Sequence, residues 1–152
     1  MSQEFRIGIG YDSHQLTEGR ALILGGISIP FGKGLMGHSD GDIIFHALTD
    51  ALLGAVGLGD IGQHFPATDL RWKNADSATF LKYAAKEIQT KGYRILNVDT
   101  IVVLEKPKLT PFRNLIRDKI ATVLDIASHR VSLKAKTAEG LGPVGEGLSA
   151  EA

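Results

Sequence analysis

The sequence lacks the features that mark several large classes of protein. It contains no cysteine, which excludes a disulfide framework and any thiolate metal site. Lysine plus arginine and aspartate plus glutamate number 17 each, so no basic excess favours nucleic acid or a membrane surface as a partner. No run of about 18 apolar residues occurs, and the start has no apolar signal region. These absences predict a cytoplasmic protein; a plastid location would require that a transit peptide had been removed.

The residues that are present suit one folded domain. The 152 residues are 43% hydrophobic, which predicts a single compact domain over 1–152. Strand patterns occur at 4–16, 21–30 (with a break at Gly25-Gly26), 93–105, 130–139 and 148–152. Helix patterns occur at 42–56, 77–92 and 111–125. The alternation predicts an α/β sandwich in which helices pack on one face of a sheet.

The helix pattern that follows His38 carries an unusual polar stripe. Asp42, His46, Thr49 and Asp50 fall on one side of a helix whose other positions are apolar. A solvated helix face is the alternative interpretation, but such faces favour lysine, arginine and glutamate, and this stripe has none. Ser39 to Asp42 resembles a capping box at the start of the helix.

A metal site is the hypothesis that best explains the stripe. Asp12 and His14 are two residues apart, so on a strand they point the same way. Together with His46 they make the one-carboxylate, two-imidazole set of a catalytic zinc site that keeps one position open. Asp50, one turn beyond His46, would hold the second ring nitrogen of that histidine from outside the metal. The alternative for Asp50 is an ordinary surface aspartate.

Two segments near the stripe are candidates for substrate contacts. His38 and Ser39 stand just before the helix, where free backbone N–H groups attract anions such as phosphate. Simple capping is the alternative role for Ser39. The segment "GDIG" at 59–62 presents Asp60 in a tight loop suited to a hydroxylated ligand, although an ordinary turn fits the same residues.

Two further segments combine turns with polar side chains. Lys106 and Lys108 stand in the rigid turn "EKPKLTP", which is either a phosphate-binding turn or a solvated basic one. In "KAKTAE" the strand alternation puts Thr137 and Glu139 on one face, where they could meet a phosphate and an oxygen-loving cation. Ordinary polar residues at a strand end are the alternative.

These motifs taken together resemble a known family. The quoted segments are "RIGIGYDSHQL", "LILGGISIP", "GHSDGDIIFHALTDALLGAVGLGDIGQHFP", "KGY", "NVDTIVV", "KPKLTP" and "LKAKTAEGLG". In order and spacing they are similar to the 2-C-methyl-D-erythritol 2,4-cyclodiphosphate synthase family of the non-mevalonate isoprenoid pathway.

The resemblance implies a reaction and an assembly. The implied enzyme is a lyase that cyclises 4-diphosphocytidyl-2-C-methyl-D-erythritol 2-phosphate to the 2,4-cyclodiphosphate and releases CMP. The implied assembly is a homotrimer of α/β subunits with active sites at the subunit interfaces. The implied ions are zinc at one site and magnesium or manganese at a second site that the substrate helps to form.

The resemblance also implies roles for particular residues. Zinc would be held by Asp12, His14 and His46, and the second ion by Glu139 and substrate phosphates. His38 and Thr137 would stabilise the transition state as catalytic residues. The implied substrate-binding set, besides the zinc-binding Asp12 and His14, is His38, Ser39, Asp60, Ile61, Gly62, Phe65, Asp69, Leu104, Pro107, Lys108, Leu109, Thr110, Lys136, Thr137 and Glu139.

Two departures from the family pattern keep alternatives open. Ala67 replaces a frequent aspartate in the closing loop "FPATDL", and the loop "GLGPVGEG" at 140–147 is shorter than the common form. The alternatives are a metal-dependent phosphohydrolase and a nucleotide-binding trimer without turnover.

Overall fold

Helices and strands alternate along residues 4–152, the part of the chain that the computed structural model describes. The strands are β1 (Ser13–Glu18), β2 (Leu22–Leu24), β3 (Ile27–Ile29), β4 (Lys33–Leu35), β5 (Val98–Val103), β6 (Val131–Lys136) and β7 (Ser149–Glu151). The helices are α1 (Ile43–Ala55), α2 (Ile61–His64), α3 (Ala78–Thr90), α4 (Arg113–Leu124) and α5 (Gly142–Gly145). Short 3₁₀ turns lie at Leu70–Trp72, Thr110–Phe112 and Ser128–Arg130.

A mixed sheet organises the fold into one α/β domain. Its strand order is β4-β1-β7-β5-β6, with β5 and β6 parallel and the other pairs antiparallel. The strands β2 and β3 form a separate hairpin whose turn is Gly25-Gly26, as the sequence predicts. Along β5, buried Val98, Thr100 and Val102 alternate with side chains that are more exposed, so one face of this strand is covered.

Helix α1 is buried on most of its circumference because it lies between the sheet and α3. Its N-cap is Asp42, whose carboxylate accepts from the backbone N–H groups of Ile44 and Phe45. The same carboxylate accepts from the N–H groups of Gly25 and Gly26 at 2.9 and 2.6 Å. Burial raises the pKa of Asp42 to about 6, although the N–H groups of Gly26, Gly25 and Phe45 oppose that rise. The predicted capping box is therefore wrong, because the cap is Asp42 itself and not the residue at 39.

The predicted strand at 4–16 is only partly correct. The chain forms a strand from Ser13, and Asp12 exchanges backbone hydrogen bonds with Ala152 at 2.9 and 3.0 Å. Residues 4–11 run across α1 without a strand neighbour. Phe5, Ile7 and Ile9 are 71%, 94% and 91% exposed. The alternation is real, but it separates a helix-facing side from an exposed side, and a strand also needs a hydrogen-bonded partner.

Two glycines let this segment lie directly on the helix. A Cβ atom on Gly8 would stand 1.7 Å from the carbonyl oxygen of Ala51, and one on Gly10 would stand 1.8 Å from that of Ala47. Neither clash could be relieved by moving a side chain, since both involve the helix backbone. The close approach therefore requires glycine at both positions.

Smaller differences concern loops and strand ends. The strand predicted at 93–105 is confined to Val98–Val103, and the loop predicted at 140–147 contains the short helix α5. The irregular stretch 57–75 contains α2 and a 3₁₀ turn. Among the helices of residues 4–152, none combines the length and apolar character needed to cross a membrane.

Candidate metal centre and substrate site

Three side chains that are distant in sequence converge where β1 begins beside α1. Oδ2 of Asp12 lies 2.8 Å from Nε2 of His14 and 2.9 Å from Nδ1 of His46. The two imidazole nitrogens lie 3.2 Å apart. Ligand atoms roughly 2.0–2.1 Å from a tetrahedral zinc ion would lie about 3.3 Å from one another. The donor set and its spacing therefore fit a three-ligand metal site, and the convergence predicted from the sequence is confirmed.

The imidazoles of the triad have oxygen partners on their remaining ring nitrogens. Nδ1 of His14 faces the carbonyl oxygen of Met36. Nε2 of His46 lies 2.9 Å from Oγ of Ser77 and 3.0 Å from Oγ of Ser39. A proton on these outer nitrogens leaves the inner nitrogens with lone pairs for a metal.

Asp50 does not take the outer position that its helical spacing predicts. Its Oδ1 accepts from the backbone N–H of Ile61 at 2.7 Å, which ties α1 to α2. Side chains on a helix lean toward its N-terminus, so His46 turns its Nε2 toward Ser39 and away from the following turn. Burial raises the pKa of Asp50, and the N–H of Ile61 opposes that rise.

The pKa values of Asp12 and His14 are shifted by the contacts among the three side chains of the triad. Burial raises the pKa of Asp12, but hydrogen bonds from His14 and His46 outweigh it, so the net pKa lies well below its ordinary value. Burial lowers the pKa of His14, but the hydrogen bond and charge of Asp12 outweigh this and leave the pKa raised. The carboxylate is therefore held ionised, which is the form that binds a metal.

The start of α1 is already occupied by a carboxylate of the chain. Because Asp42 accepts from the first free N–H groups, the expectation of a substrate phosphate on those groups is wrong. Ser39 is 5% exposed and its hydroxyl faces His46. His38 is partly exposed, and its Nε2 donates to the carbonyl oxygen of Asp69 at 3.1 Å. Phosphate contacts by His38 and Ser39 stay predictions.

The predicted sugar-binding loop continues from α1 and is tied together by its own contacts. Asp60 caps α2 by accepting from the N–H of Gln63 at 3.0 Å. The ring of Phe65 lies 4.6 Å from that of Phe80, measured between centroids. The carboxylate of Asp69 accepts from the guanidinium of Arg71. Ile61 and Gly62 lie in α2 within this stretch.

The predicted nucleotide side is built from the loops after β5 and β6. The N–H of Leu104 donates to the carbonyl of Lys136 at 2.9 Å, and the N–H of Ala138 donates to Oε2 of Glu105 at 3.1 Å. These bonds hold the two loops side by side. The side chains of Leu104 and Leu109 are buried in the core, so a ligand could meet these residues only through their backbone.

Polar side chains at this edge remain exposed. Thr137 Oγ1 donates to Oε1 of Glu139 at 3.0 Å, and Glu139 has a positive φ of 54°. Lys108 and Lys136 are exposed, Thr110 is exposed and Pro107 is half-buried. Thr137 and Glu139 are in contact, but both lie beyond the end of β6 at Lys136, so the strand alternation predicted for them is wrong and the turn after β6 brings them together.

The two groups of predicted ligands lie at one end of the sheet but on different strands. Ser13 pairs with Glu151, Glu151 with Val103, and Val103 with Lys136. Three steps between neighbouring strands of about 4.8 Å separate β1 from β6 by about 14 Å along this row. A single chain therefore presents the triad and the β6 loop as two separate groups.

Sequence reasoning missed the partners behind the triad. Ser77 and the carbonyl of Met36 complete the surroundings of the two histidines, and Asp40 accepts from Ser77. A backbone carbonyl leaves no signal in a sequence. Ser77 looks like an ordinary residue at a helix start, and only the packing of α3 on α1 brings it to His46.

Comparison with known proteins places these features in a family. The family profile described as the YgbB family matches residues 5–152. This chain belongs to the YgbB family. The family identified from the sequence motifs is thereby confirmed, because YgbB relatives carry the synthase name. One is the 2-C-methyl-D-erythritol 2,4-cyclodiphosphate synthase of Solibacter usitatus (strain Ellin6076), 55% identical over 148 residues, 97% of this chain and 93% of the relative.

Another relative and two solved structures agree with the YgbB assignment. The synthase of the same name from Neisseria gonorrhoeae (strain ATCC 700825 / FA 1090) is 56% identical over 97% of this chain and 93% of its own length. The IspF of Plasmodium falciparum, solved as a CDP complex, has a TM-score of 0.84 at 43% identity, covering 96% of this chain and 90% of that one. The bifunctional IspDF of Campylobacter jejuni has a TM-score of 0.94 at 42% identity, and 99% of this chain spans 41% of that longer protein.

Proposed function

We propose that this protein converts 4-diphosphocytidyl-2-C-methyl-D-erythritol 2-phosphate into 2-C-methyl-D-erythritol 2,4-cyclodiphosphate and CMP. The activity class follows from the family, whose curated relatives at 53–56% identity are named for this synthase. The protein is accordingly an enzyme of isoprenoid biosynthesis, a lyase. The observation that carries the chemistry is the convergence of Asp12, His14 and His46 in a chain of this family.

The reaction needs no nucleophile from the protein. An oxygen of the substrate's 2-phosphate attacks the β-phosphorus, and the bond from that phosphorus to the bridging oxygen of the α-phosphate breaks. CMP leaves with the electron pair of that bond. Attack within one molecule makes positioning and charge stabilisation the main contributions of the enzyme.

We assign Zn²⁺ to the triad and Mg²⁺ or Mn²⁺ to Glu139 with the substrate phosphates. When bound, these ions supply Lewis acidity and reduce the repulsion between two anionic phosphates that must approach each other. The raised pKa of His14 and the lowered pKa of Asp12 agree with this assignment, because both arise from an ionised carboxylate that faces the two imidazoles.

The remaining residues are proposed to hold the substrate from different directions. His38 and the hydroxyl of Thr137 would donate to phosphate oxygens as charge develops on them. The stretch with Asp60, Ile61, Gly62, Phe65 and Asp69 would hold the methylerythritol. The loops with Leu104, Pro107, Lys108, Leu109, Thr110, Lys136 and Glu139 would hold the cytidine diphosphate. Fixing both ends favours ring closure over attack by water.

We propose that the assembly is a homotrimer with active sites between subunits. Within one chain the triad beside β1 and the loop after β6 are about 14 Å apart. This separation supports a trimer, since a second copy could bring its β6 loop to the triad of the first. The exposed Phe5, Ile7 and Ile9 form an apolar stripe of the kind that marks a protein interface. The balanced charge of 17 against 17 supports a small-molecule substrate rather than nucleic acid, and a cytoplasmic location is proposed.

One assay separates this function from its rivals. The purified protein is incubated with the diphosphocytidyl substrate, Zn²⁺ and Mg²⁺, and the products are resolved by ³¹P NMR. A cyclic diphosphate with an equal amount of CMP supports the proposal. Release of free phosphate would instead indicate a phosphohydrolase, and substrate binding without any product would indicate a trimer that has lost turnover.

A further inference from the structure

Behind the triad, His46 is connected to a carboxylate that does not face the metal site. Oγ of Ser77 lies 2.9 Å from Nε2 of His46 and donates to Oδ1 of Asp40 at 2.5 Å. The backbone N–H of Ser77 donates to the other carboxylate oxygen, Oδ2, at 3.1 Å. Asp40 thus fixes both the position and the hydroxyl proton of Ser77.

The direction of these hydrogen bonds determines where the imidazole proton lies. A hydroxyl has one proton, and that of Ser77 points to Asp40, so Ser77 Oγ can only accept from His46. Nε2 of His46 must then carry a proton. A neutral imidazole protonated at Nε2 has its lone pair on Nδ1, the atom that lies 2.9 Å from Asp12 and 3.2 Å from His14.

Ser39 is compatible with the same direction. Its Oγ lies 3.0 Å from Nε2 of His46 and 3.2 Å from Oγ of Ser77, so it can accept from the first and donate to the second. His46, Ser39 and Ser77 are 8%, 5% and 0% exposed, which leaves little room for water to replace any of these partners. Each proton in the network is therefore directed toward Asp40.

We infer that Asp40 is a positioning residue for the metal centre: through Ser77 it holds His46 in the tautomer that turns Nδ1 to the metal. The inference rests on the metal site of the proposed function, but on no step of the reaction. Outer partners of metal-bound histidines typically change metal affinity by about 10–100-fold.

The first test measures Zn²⁺ affinity of the full chain by competition with a chromophoric chelator. Ser77→Ala and Asp40→Asn should weaken Zn²⁺ binding about tenfold or more. Ser77→Thr, which keeps the hydroxyl, should stay within about threefold of the wild type. Asp76→Ala is the matched control, because Asp76 accepts from the N–H of Ala78 at the same helix start without touching His46; it should also leave the affinity unchanged.

The second test needs no variant. Long-range ¹H–¹⁵N NMR of the Zn²⁺-loaded wild type should show His46 protonated at Nε2, with Nδ1 free of a proton and bound to the metal. Protonation at Nδ1 in the Zn²⁺-loaded protein would overturn the inference, as would Zn²⁺ affinities of Ser77→Ala and Asp40→Asn equal to the wild type, or an equal loss in Asp76→Ala. A wild type that binds no Zn²⁺ would overturn the proposed metal site as well, whereas wild-type binding with unchanged variants overturns this inference alone.

Discussion

The triad end of the site and its β6 end differ in how completely one chain builds them. At the triad, the outer nitrogens of both imidazoles have a partner and Asp12 binds both histidines. At the β6 end, Thr137 and Glu139 bond to each other and stand exposed. The first region has a complete set of hydrogen-bonded side chains that could hold a metal ion, and the second offers exposed polar groups that do not enclose a cavity.

The difference agrees with what each region is proposed to hold. A small cation needs ligands fixed within a few tenths of an ångström, which only packed and hydrogen-bonded side chains provide. A nucleotide diphosphate brings its own charge and bulk, so the loops around it can remain open until it arrives. The contrast predicts that substitutions near the triad change metal content and stability, whereas those near β6 change the demand for a second ion.

The largest effect is expected from removing a ligand of the triad. His46→Ala should lose Zn²⁺ and reduce CMP release about a thousandfold or more, while circular dichroism shows a folded protein, because alanine suits a helix interior. Metal analysis and the CMP assay measure both effects. His129→Ala, which changes an exposed histidine on a 3₁₀ turn, is the control and should change neither. Full zinc content in His46→Ala would contradict the ligand assignment.

The next effect concerns the buried cap that fixes the same helix. Asp42→Ala should lower the free energy of unfolding by about 3 kcal/mol, because four backbone N–H groups lose one acceptor in a buried place. Asp76→Ala, at the exposed start of α3, should cost about 1 kcal/mol. Urea denaturation at equal protein concentration compares the two, and equal losses would count against the buried-cap argument.

A smaller effect is expected at the β6 end. Glu139→Gln should raise the Mg²⁺ or Mn²⁺ concentration needed for half-maximal activity about tenfold, because a neutral amide is a weaker ligand for hard cations. Zn²⁺ affinity should stay unchanged. Glu146→Gln, at the end of α5, serves as the control. An unaltered requirement for the second ion in Glu139→Gln would remove Glu139 from the proposed site.

The smallest effect is a pH dependence of the metal-free triad. The lowered pKa of Asp12 contributes stability above its unfolded value near 3.8 that is lost as pH falls. The raised pKa of His14 contributes stability below its unfolded value near 6.5 that is lost as pH rises. Wild type should therefore exceed Asp12→Asn by about 1 kcal/mol between these two pH values and by less on either side. Urea denaturation with a chelator measures this, and a difference independent of pH would refute it.

Local patterns in the sequence predict much of the fold and the centre of the site. The apolar spacing predicts α1 at 42–56, where the structure has Ile43–Ala55. The D-x-H of Asp12 and His14, with a histidine on an otherwise core-like helix, predicts the triad. Helix α1 could be predicted because its pattern lies within one element. The triad could be predicted because its residues come from only two elements, β1 with its start and α1.

The features that the sequence does not predict depend on which elements pack together. Ser77 reaches His46 only because α3 lies against α1, and the sequence pattern of α3 carries no trace of that contact. Asp50 shares a helix face with His46, but the two side chains do not form the predicted hydrogen bond. Side chains on a helix lean toward its N-terminus, which turns His46 toward Ser39 instead. Residues 4–11 alternate as a strand does, yet their neighbour is a helix.

The contact of Gly10 with α1 has a consequence for the accuracy of the metal centre. Gly10 stands two residues before Asp12, and Ala47, whose carbonyl it touches, directly follows His46. The distance between the segment that carries Asp12 and the helix that carries His46 is thus set by direct backbone contact, with no side chain between them. A Cβ atom at position 10 would push these two backbones apart and increase the distance between Asp12 and His46. The geometry of the metal centre therefore depends on the absence of a side chain at Gly10.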